Sequence, residues 1–340
     1  MKRILLLATG GTIASKECGG GLSPTLVSRD ITDYLQENGT GLGLDCSVDC
    51  EDILNLDSSN IQPEEWQFIA RKAYMALPAY DGVIITHGTD TMAYTAAALS
   101  FMLRNVHKSV VLTGSQLPIN APLTDAKTNL YTAMSAVEHG ITGVTVAFDR
   151  KIINGARAVK ISTMGFDAFE SVNAPYMGRI MADGMRVNSR KTVDFDPVLP
   201  PALYDSLCTD VFLLKLIPGT KPEIFDALAA WGYKGIVIEA FGSGGMHYLN
   251  RDLLEKLRLM REKNIAVVVC SQCLYEKSDL SVYAVGRKIL DNGVIPGLDM
   301  TTEAAVAKLM WALGQEGIDG PEAVAEVFSK NIAGEVDAPR

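Results

Sequence analysis

The chain has 340 residues, 48 % of them apolar and 21 % charged, which is the composition of a globular protein rather than a disordered one and a length suited to two cores of roughly 150 residues. Its 31 Lys and Arg against 40 Asp and Glu leave a formal charge of −9. With no local block of basic residues, that balance argues against nucleic acid or an anionic membrane surface as a partner.

The N-terminus reads M-K-R-I-L-L-L-A-T-G-G-T. Its apolar run over residues 4–8 is shorter than a signal-peptide core and meets no small-residue cleavage site. No apolar stretch approaches the length of a membrane span, so a cytoplasmic protein is expected. In chain order, strands are expected over residues 3–8, 82–86, 109–113 and 143–148, with helices in the gaps, the signature of a parallel sheet flanked by helices. One helix begins at Pro63, where the missing N–H costs nothing, and runs to about Leu77. Its Trp66, Phe68 and Tyr74 read as core. A second covers residues 91–103, and a third runs from Thr124 as N-cap, with Asp125 in its first turn, to a stop at Gly140.

Over residues 151–161 the pattern becomes K-I-I-N-G-A-R-A-V-K-I. Asn154-Gly155 between apolar arms predicts a two-residue hairpin with positive φ at both turn positions, holding Lys160 on a defined arm. Periodicity fades over residues 188–206, where Pro197, Pro200 and Pro201 interrupt any regular element. The expected organisation is an N-terminal α/β domain over residues 1–190, with a mainly parallel sheet and helices on both faces. A linker over 191–208 and a smaller C-terminal α/β domain over 209–340 follow. In that second domain strands over 211–216, 235–240 and 265–270 alternate with helices starting near Pro222 and covering 253–263, 302–313 and 321–331.

Six cysteines (Cys18, Cys46, Cys50, Cys208, Cys270 and Cys273) are too sparse for a disulfide scaffold. Cys46-x-x-x-Cys50 and Cys270-x-x-Cys273 offer four thiolates to zinc. Cys270, however, closes an apolar strand, where a free cysteine packs as a small apolar residue. No metal site is assigned.

The chemistry concentrates at two strand ends. The run over residues 3–8 leads through Gly10-Gly11 to Thr12, and ligands of open parallel sheets bind at that carboxyl edge. Neither a G-x-x-x-x-G-K-[ST] nor a G-x-G-x-x-G pattern is present there, and Gly242-Ser-Gly-Gly-Met-His247 has histidine at its last position, so both nucleotide readings fail. The strand at residues 82–86 delivers His87-Gly-Thr89-Asp90-Thr91 to the same edge. A hydroxyl is a poor nucleophile without a base beside it. Thr89, Asp90 and a partly desolvated Lys160 would make such a proton relay. The same residues also serve as turn and cap formers, and spacing alone does not choose between the two readings. His87 reads as a loop-shaping residue, and His107, His139 and His247 as structural or solvent-facing.

T-G-G-T-I-A over residues 9–14 together with H-G-T-D-T over 87–91 resembles the paired signature of the bacterial-type L-asparaginase family. The likeness extends through Leu56-Asp57-Ser58-Ser59, Thr113-Gly-Ser-Gln-Leu-Pro118, residues 165–169 and residues 271–274, and is greatest to the cytoplasmic type I branch. The resemblance implies hydrolysis of L-asparagine to L-aspartate and ammonia by a homodimer or homotetramer, without a cofactor. Thr12 would be the nucleophile and would form a β-aspartyl ester that water hydrolyses. Thr89, Asp90 and Lys160 match the activating group. Asp57 and Ser58, with Ser59 beside them and Thr89 and Asp90 opposite, match the residues that hold the substrate's charged ends, a carboxylate facing an ammonium and hydroxyl and N–H donors facing a carboxylate. N–H groups near Thr12 and Thr89 would receive the oxyanion.

Two departures stand out. Many relatives carry a tyrosine in the mobile loop after the nucleophile, where Leu22 stands here in a triple-glycine segment suited to a lid. Tyr283 matches a tyrosine of some type I relatives that would substitute for it. Some type I members are activated by asparagine at a second site, one residue of which Cys273 matches, but Glu239 replaces an expected arginine there and Gly245 an expected asparagine. A carboxylate would repel the effector's carboxylate. Other readings remain: a glutaminase-asparaginase, an amidase subunit supplying ammonia to a partner, or an amino-acid-binding regulator without catalysis. Pure binding would not need Thr12, Thr89, Asp90 and Lys160 together.

Overall fold

An unbroken apolar run is the pattern of a strand covered on both faces, and residues 4–8 form the fully buried centre of the first strand. The computed structural model describes residues 1–18, 21–24, 31, 45–188, 198–282 and 284–337. It divides into two units, Met1–Asp205 and Ser206–Arg340. Strands of the first unit are β1 (Lys2–Gly10), β2 (Ser15–Cys18), β3 (Gly21–Pro24), β4 (Cys46–Leu56), β5 (Gly82–Thr86), β6 (Leu103–Arg104) and β7 (Ser109–Thr113). They continue with β8 (Gly143–Phe148), β9 (Lys151–Asn154), β10 (Ala158–Lys160), β11 (Phe169–Ser171), β12 (Gly178–Met181), β13 (Gly184–Val187) and β14 (Ala202–Leu203).

Eight of these strands make one sheet in the order β13-β12-β9-β8-β7-β5-β1-β4. The section from β8 to β4 is parallel, and β9, β12 and β13 extend it antiparallel. The helices Pro63–Ala76, Met92–Met102 and Ala126–Glu138 connect its parallel strands. Pro63 occupies the first turn as the sequence predicts, and Glu65 accepts from the Gln62 N–H at 2.8 Å. Trp66 is buried, whereas Phe68 is exposed rather than core. Ile4, Leu6, Ile84, Val111, Leu130 and Met134 share one core beneath the sheet. From β1 the chain passes to β4 on one side, then to β5 on the other and on to β7. The turns leaving the carboxyl ends of β1 and β5 therefore diverge, which is where open α/β sheets admit ligands.

Strand β4 has no counterpart in the sequence reading. It is an edge strand of half-buried residues, without the apolar run that marks the central strands. Cys46, Val48 and Cys50 alternate onto its core side. Four residues along a strand separate two Cα atoms by roughly 13 Å, so Cys46 and Cys50 serve the core rather than one metal ion.

The expected hairpin at Asn154-Gly155 is corrected. Strand β9 is already paired on both edges, with β8 and with β12, and so has no edge left for β10. Neither turn residue takes positive φ. The Asn154 carboxamide accepts from the Ala156 N–H at 2.8 Å, and the chain turns out of the sheet. Lys160 does sit on a defined arm, but that arm is β10 paired with β11. The tight turn in this region is Asp149-Arg150, with φ of 45° and 60°, between β8 and β9.

The second unit carries a parallel four-stranded sheet of β15 (Val211–Lys215), β16 (Gly235–Ala240), β17 (Ala266–Ser271) and β18 (Ile295–Pro296), in that order. The helices Glu223–Ala230, Leu254–Glu262, Ala284–Asp291, Thr302–Gly314 and Gly320–Phe328 accompany it. The helix Ala284–Asp291 and strand β18 are additions to the sequence reading. Among the described residues no helix is long and apolar enough to cross a membrane.

In this unit Lys308 and Glu335 form an ion pair at 2.5 Å with both side chains fully buried. The Lys308 ammonium also donates to the Lys330 carbonyl at 2.8 Å, and the Glu335 carboxylate accepts the N–H groups of Ile332 and Ala333. Removing one partner of such a pair strands the other charge in the interior. Lys308→Met is expected to lower stability by about 3–5 kcal/mol in a denaturant titration, and loss of less than about 1 kcal/mol would show the pair to be energetically idle.

Candidate active site

The site grows from two glycines at the end of β1. Gly10 and Gly11 have φ of +108° and +79°. A Cβ on Gly10 would lie 2.5 Å from the Leu56 carbonyl oxygen, and one on Gly11 would lie 2.5 Å from the Gly88 nitrogen. Only glycine accepts both the dihedral and the approach. The Gly11 N–H donates to the Leu56 carbonyl at 3.1 Å, so the turn after β1 touches the ends of both neighbouring strands. Thr12 follows at once, half-buried, and opens the short 3₁₀ helix Thr12–Ala14.

At the end of β4, Asp57 caps the 3₁₀ helix Ser58–Asn60. Its carboxylate accepts from the Ser59 hydroxyl at 2.5 Å and the Ser59 N–H at 2.8 Å. These two bonds hold the Asp57 carboxyl below the usual carboxylate range. Ser58 is buried against the turn after β5. Its hydroxyl accepts from the Asp90 N–H at 3.3 Å, and its carbonyl accepts from the Thr91 hydroxyl at 2.7 Å. A Cβ on Gly88 would meet the Ser58 Oγ at 2.6 Å, so the second glycine turn is packed as tightly as the first.

The third component comes from β10. The Lys160 ammonium donates to the Thr89 hydroxyl at 2.8 Å and to the Asp90 carboxylate at 2.6 Å. Thr89 is buried, and the Lys160 side chain is 16 % exposed while that of Asp90 is 66 % exposed. The lysine thus reaches the relay through protein, and the carboxylate meets it from the solvent side. The structure brings Thr89, Asp90 and Lys160 into direct contact, and joins them to Asp57, Ser58 and Ser59 through the Ser58 bonds. The turn carrying Thr12 abuts Gly88. Leu22 lies on β3, paired in register with Glu17 of β2, and Tyr283 lies outside the described residues.

His87 takes the structural role expected of it. It is fully buried, its Nδ1 lies 2.7 Å from the Gly88 carbonyl, and its Nε2 lies 2.9 Å from the Thr95 hydroxyl. Burial pushes the imidazole down to about 4. His107, His139 and His247 each approach a main-chain carbonyl, of Leu199, Ser135 and Thr220.

Gln116, which the sequence marks only as part of the motif over residues 113–118, also reaches the site. Its Oε1 accepts from the Thr89 hydroxyl at 3.5 Å. Asp125, expected in a helix first turn, instead turns its carboxylate to the N–H groups of Gln116 and Leu117 at 2.9 and 3.1 Å.

A two-domain α/β enzyme with a threonine–lysine–carboxylate cluster at its sheet switch point is defined by these features. The family model for the N-terminal domain of asparaginase matches residues 3–193, and that for the glutaminase/asparaginase C-terminal domain matches residues 210–328. The chain belongs to the asparaginase family. It is 43 % identical to an L-asparaginase of Thermococcus kodakarensis, over 98 % of this chain and 99 % of that one. It is 36 % identical to a glutamyl-tRNA(Gln) amidotransferase subunit of Pyrococcus abyssi, over 99 % of this chain and 77 % of that protein. Among solved structures, L-asparaginase I of Vibrio cholerae superposes with a TM-score of 0.88 at 30 % identity, with 99 % of each chain covered. A probable cytoplasmic L-asparaginase of Campylobacter jejuni superposes at 0.79 and 29 % identity, with 97 % of this chain and all of that one covered.

The buried His87 links stability to pH. Unfolded chains take up a proton near the ordinary value of 6.5, and the folded chain only near 4. The contribution is therefore complete above about 6.5 and is lost as pH falls towards 4, by roughly 3 kcal/mol. His87→Gln should flatten the decline of the urea midpoint over that interval, and an unchanged slope would place the acid sensitivity elsewhere.

Proposed function

We propose that the protein hydrolyses the side-chain amide of L-asparagine to L-aspartate and ammonia, with Thr12 as nucleophile. The contact of Lys160 with both Thr89 and Asp90, beside the Gly11–Gly88 approach, is the observation that carries this reading. The Thr12 hydroxyl attacks the amide carbon, and its proton passes to the departing nitrogen, which leaves as ammonia. Water then attacks the resulting β-aspartyl ester and returns the proton to Thr12. The Thr89 hydroxyl and Lys160 are the groups placed to hold and pass these protons. Main-chain N–H groups near Thr12 and Thr89 receive the oxyanion, other than that of Gly11, which donates to the Leu56 carbonyl, and that of Asp90, which donates to the Ser58 hydroxyl. Asp57, kept anionic by its two bonds to Ser59, faces the substrate ammonium, and Ser58 and Ser59 supply donors towards its α-carboxylate. No cofactor enters these steps. A cytoplasmic homodimer or homotetramer is the proposed setting, the cytoplasm being that named for the probable cytoplasmic L-asparaginase of Campylobacter jejuni.

A second reading is favoured by the amidotransferase-subunit relatives, in which an amidase delivers ammonia to a partner. Asparagine and glutamine differ by one methylene, which a pocket discriminates by only about 1–3 kcal/mol. Ammonia release from each amino acid by the isolated protein separates these cases. Asparagine turnover is expected, falling at least about 10³-fold in Thr12→Ala. A specificity constant favouring glutamine would reassign the substrate, and no release from either by folded wild type would leave a binding protein.

In the second unit Glu239 is already committed, with the Lys215 ammonium at 3.2 Å and the Thr302 hydroxyl donating to it at 2.7 Å. A paired carboxylate offers nothing to an effector carboxylate. Initial rates should therefore rise hyperbolically with asparagine concentration, and a sigmoidal curve would show that an activating site persists despite Glu239.

A further inference from the structure

We infer that Gln116 is a positioning residue that sets the hydrogen-bond direction of Thr89 and clamps the loop following Lys160; this rests on the hydrolase reading above. The carboxamide has a fixed orientation. Its Nε2 donates to the carbonyls of Thr163 at 3.2 Å and Gly165 at 3.0 Å. A flipped amide would set oxygen against those two oxygens, so Oε1 must face Thr89.

Thr89 has one hydroxyl proton and two lone pairs. The Lys160 ammonium engages a lone pair at 2.8 Å, which leaves the proton to point at Gln116. At 3.5 Å that contact is about half an ångström longer than an ordinary O–H···O bond, a weak one. Gln116 therefore gives the hydroxyl a resting direction without locking it. Turning towards a closer oxygen of substrate or ester costs little, and the direction is recovered when that oxygen leaves.

The same side chain reaches the lysine arm. Residues 161–168 leave β10 directly after Lys160 and close on themselves through the Ile161 N–H and the Ala168 carbonyl at 2.8 Å. Burial does not hold this loop, since Ile161, Met164 and Phe166 are exposed. The two Gln116 bonds to carbonyls tie it down. Gln116 is itself anchored by the buried Asp125 carboxylate, which also accepts from Asn129 at 3.0 Å. Three residues on, the Ile119 N–H donates to the Ile13 carbonyl at 3.2 Å, next to Thr12. One loop thus reaches the nucleophile turn, the Thr89 hydroxyl and the lysine arm.

The test compares wild type with Gln116→Leu and Gln116→Glu in steady-state ammonia release across pH, with hydrogen exchange read over residues 161–167. Gln116→Leu should lower kcat about 10- to 100-fold with KM moving less than about 3-fold, and should speed exchange in the loop. Gln116→Glu keeps an acceptor towards Thr89 and loses the donors. It should recover part of kcat, leave the loop exchanging fast, and add a titration in the carboxylate range that wild type lacks. Wild-type kcat and pH profile in both variants would overturn the inference, as would a rise in KM at unchanged kcat, which belongs to a substrate-binding group. Should Gln116→Leu fail to fold, Gln116→Glu decides by the same readings. Wild type without turnover overturns the hydrolase reading and this inference with it, whereas turnover with unaltered variants overturns this inference alone.

Discussion

Everything at the site depends on the approach of the Gly11 and Gly88 main chains. A side chain on Gly11 would overlap the Gly88 nitrogen, and one on Gly88 would overlap Ser58. Strands β1 and β5 lie side by side, and their exits run to opposite sides of the sheet. The turns would separate without a contact to hold them, and the two glycines allow that contact. Thr12 and Thr89 are each one residue beyond it. Their placement is thereby fixed by main-chain packing at strand ends, the most rigid part of an α/β domain, rather than by side-chain conformations. A designed site follows the same rule, with its reacting groups on rigid elements and supported from behind.

The charges are placed with equal economy. His87 is buried in the centre and kept neutral, so it adds no charge beneath the turn. Lys160 is paired at 2.6 Å with Asp90, and a second of its three N–H groups donates to Thr89. Asp57, on the far side of Ser58, is held anionic by its two bonds from Ser59. Ser58 joins the two regions, with its hydroxyl on Asp90 and its carbonyl on Thr91. In the proposed reaction, a substrate ammonium at Asp57 would be referenced to Asp90 and Thr91 through a single buried serine.

What can be read in the sequence follows from what each residue needs to be recognised. The central strands are buried on both faces and show as apolar runs, and the glycine-threonine turns at their ends are local patterns. Thr89, Asp90 and Lys160 are read from the residues as one of two open readings, and resemblance decides between them. Asp57 and Ser58 emerge from resemblance alone, because their contacts span tens of residues and no spacing rule links them. Strand β4 stays hidden because an edge strand needs only one apolar face, and two of its inward positions are cysteines that invite a metal reading. The turn at Asn154-Gly155 departs from its local signal for a tertiary reason: both edges of β9 are taken. Gln116 is invisible as a functional residue, since its partners at Thr89, Thr163 and Gly165 are set by how three separate loops meet.

Those loops are held differently from the strands that carry them. Core residues such as Ile84 and Val111 are fixed by burial, which resists any displacement. The segment after Lys160 exposes its large apolar side chains and depends on a few polar bonds, which water can replace at small net cost. Such a segment resists displacement less than the core does, while Lys160 itself is held on β10. The fold therefore separates two demands that conflict in any hydrolase. Reacting groups must not move by more than a fraction of an ångström, yet a substrate must enter and a product leave. Strand ends and glycine contacts meet the first demand, and polar clamps such as Gln116 meet the second.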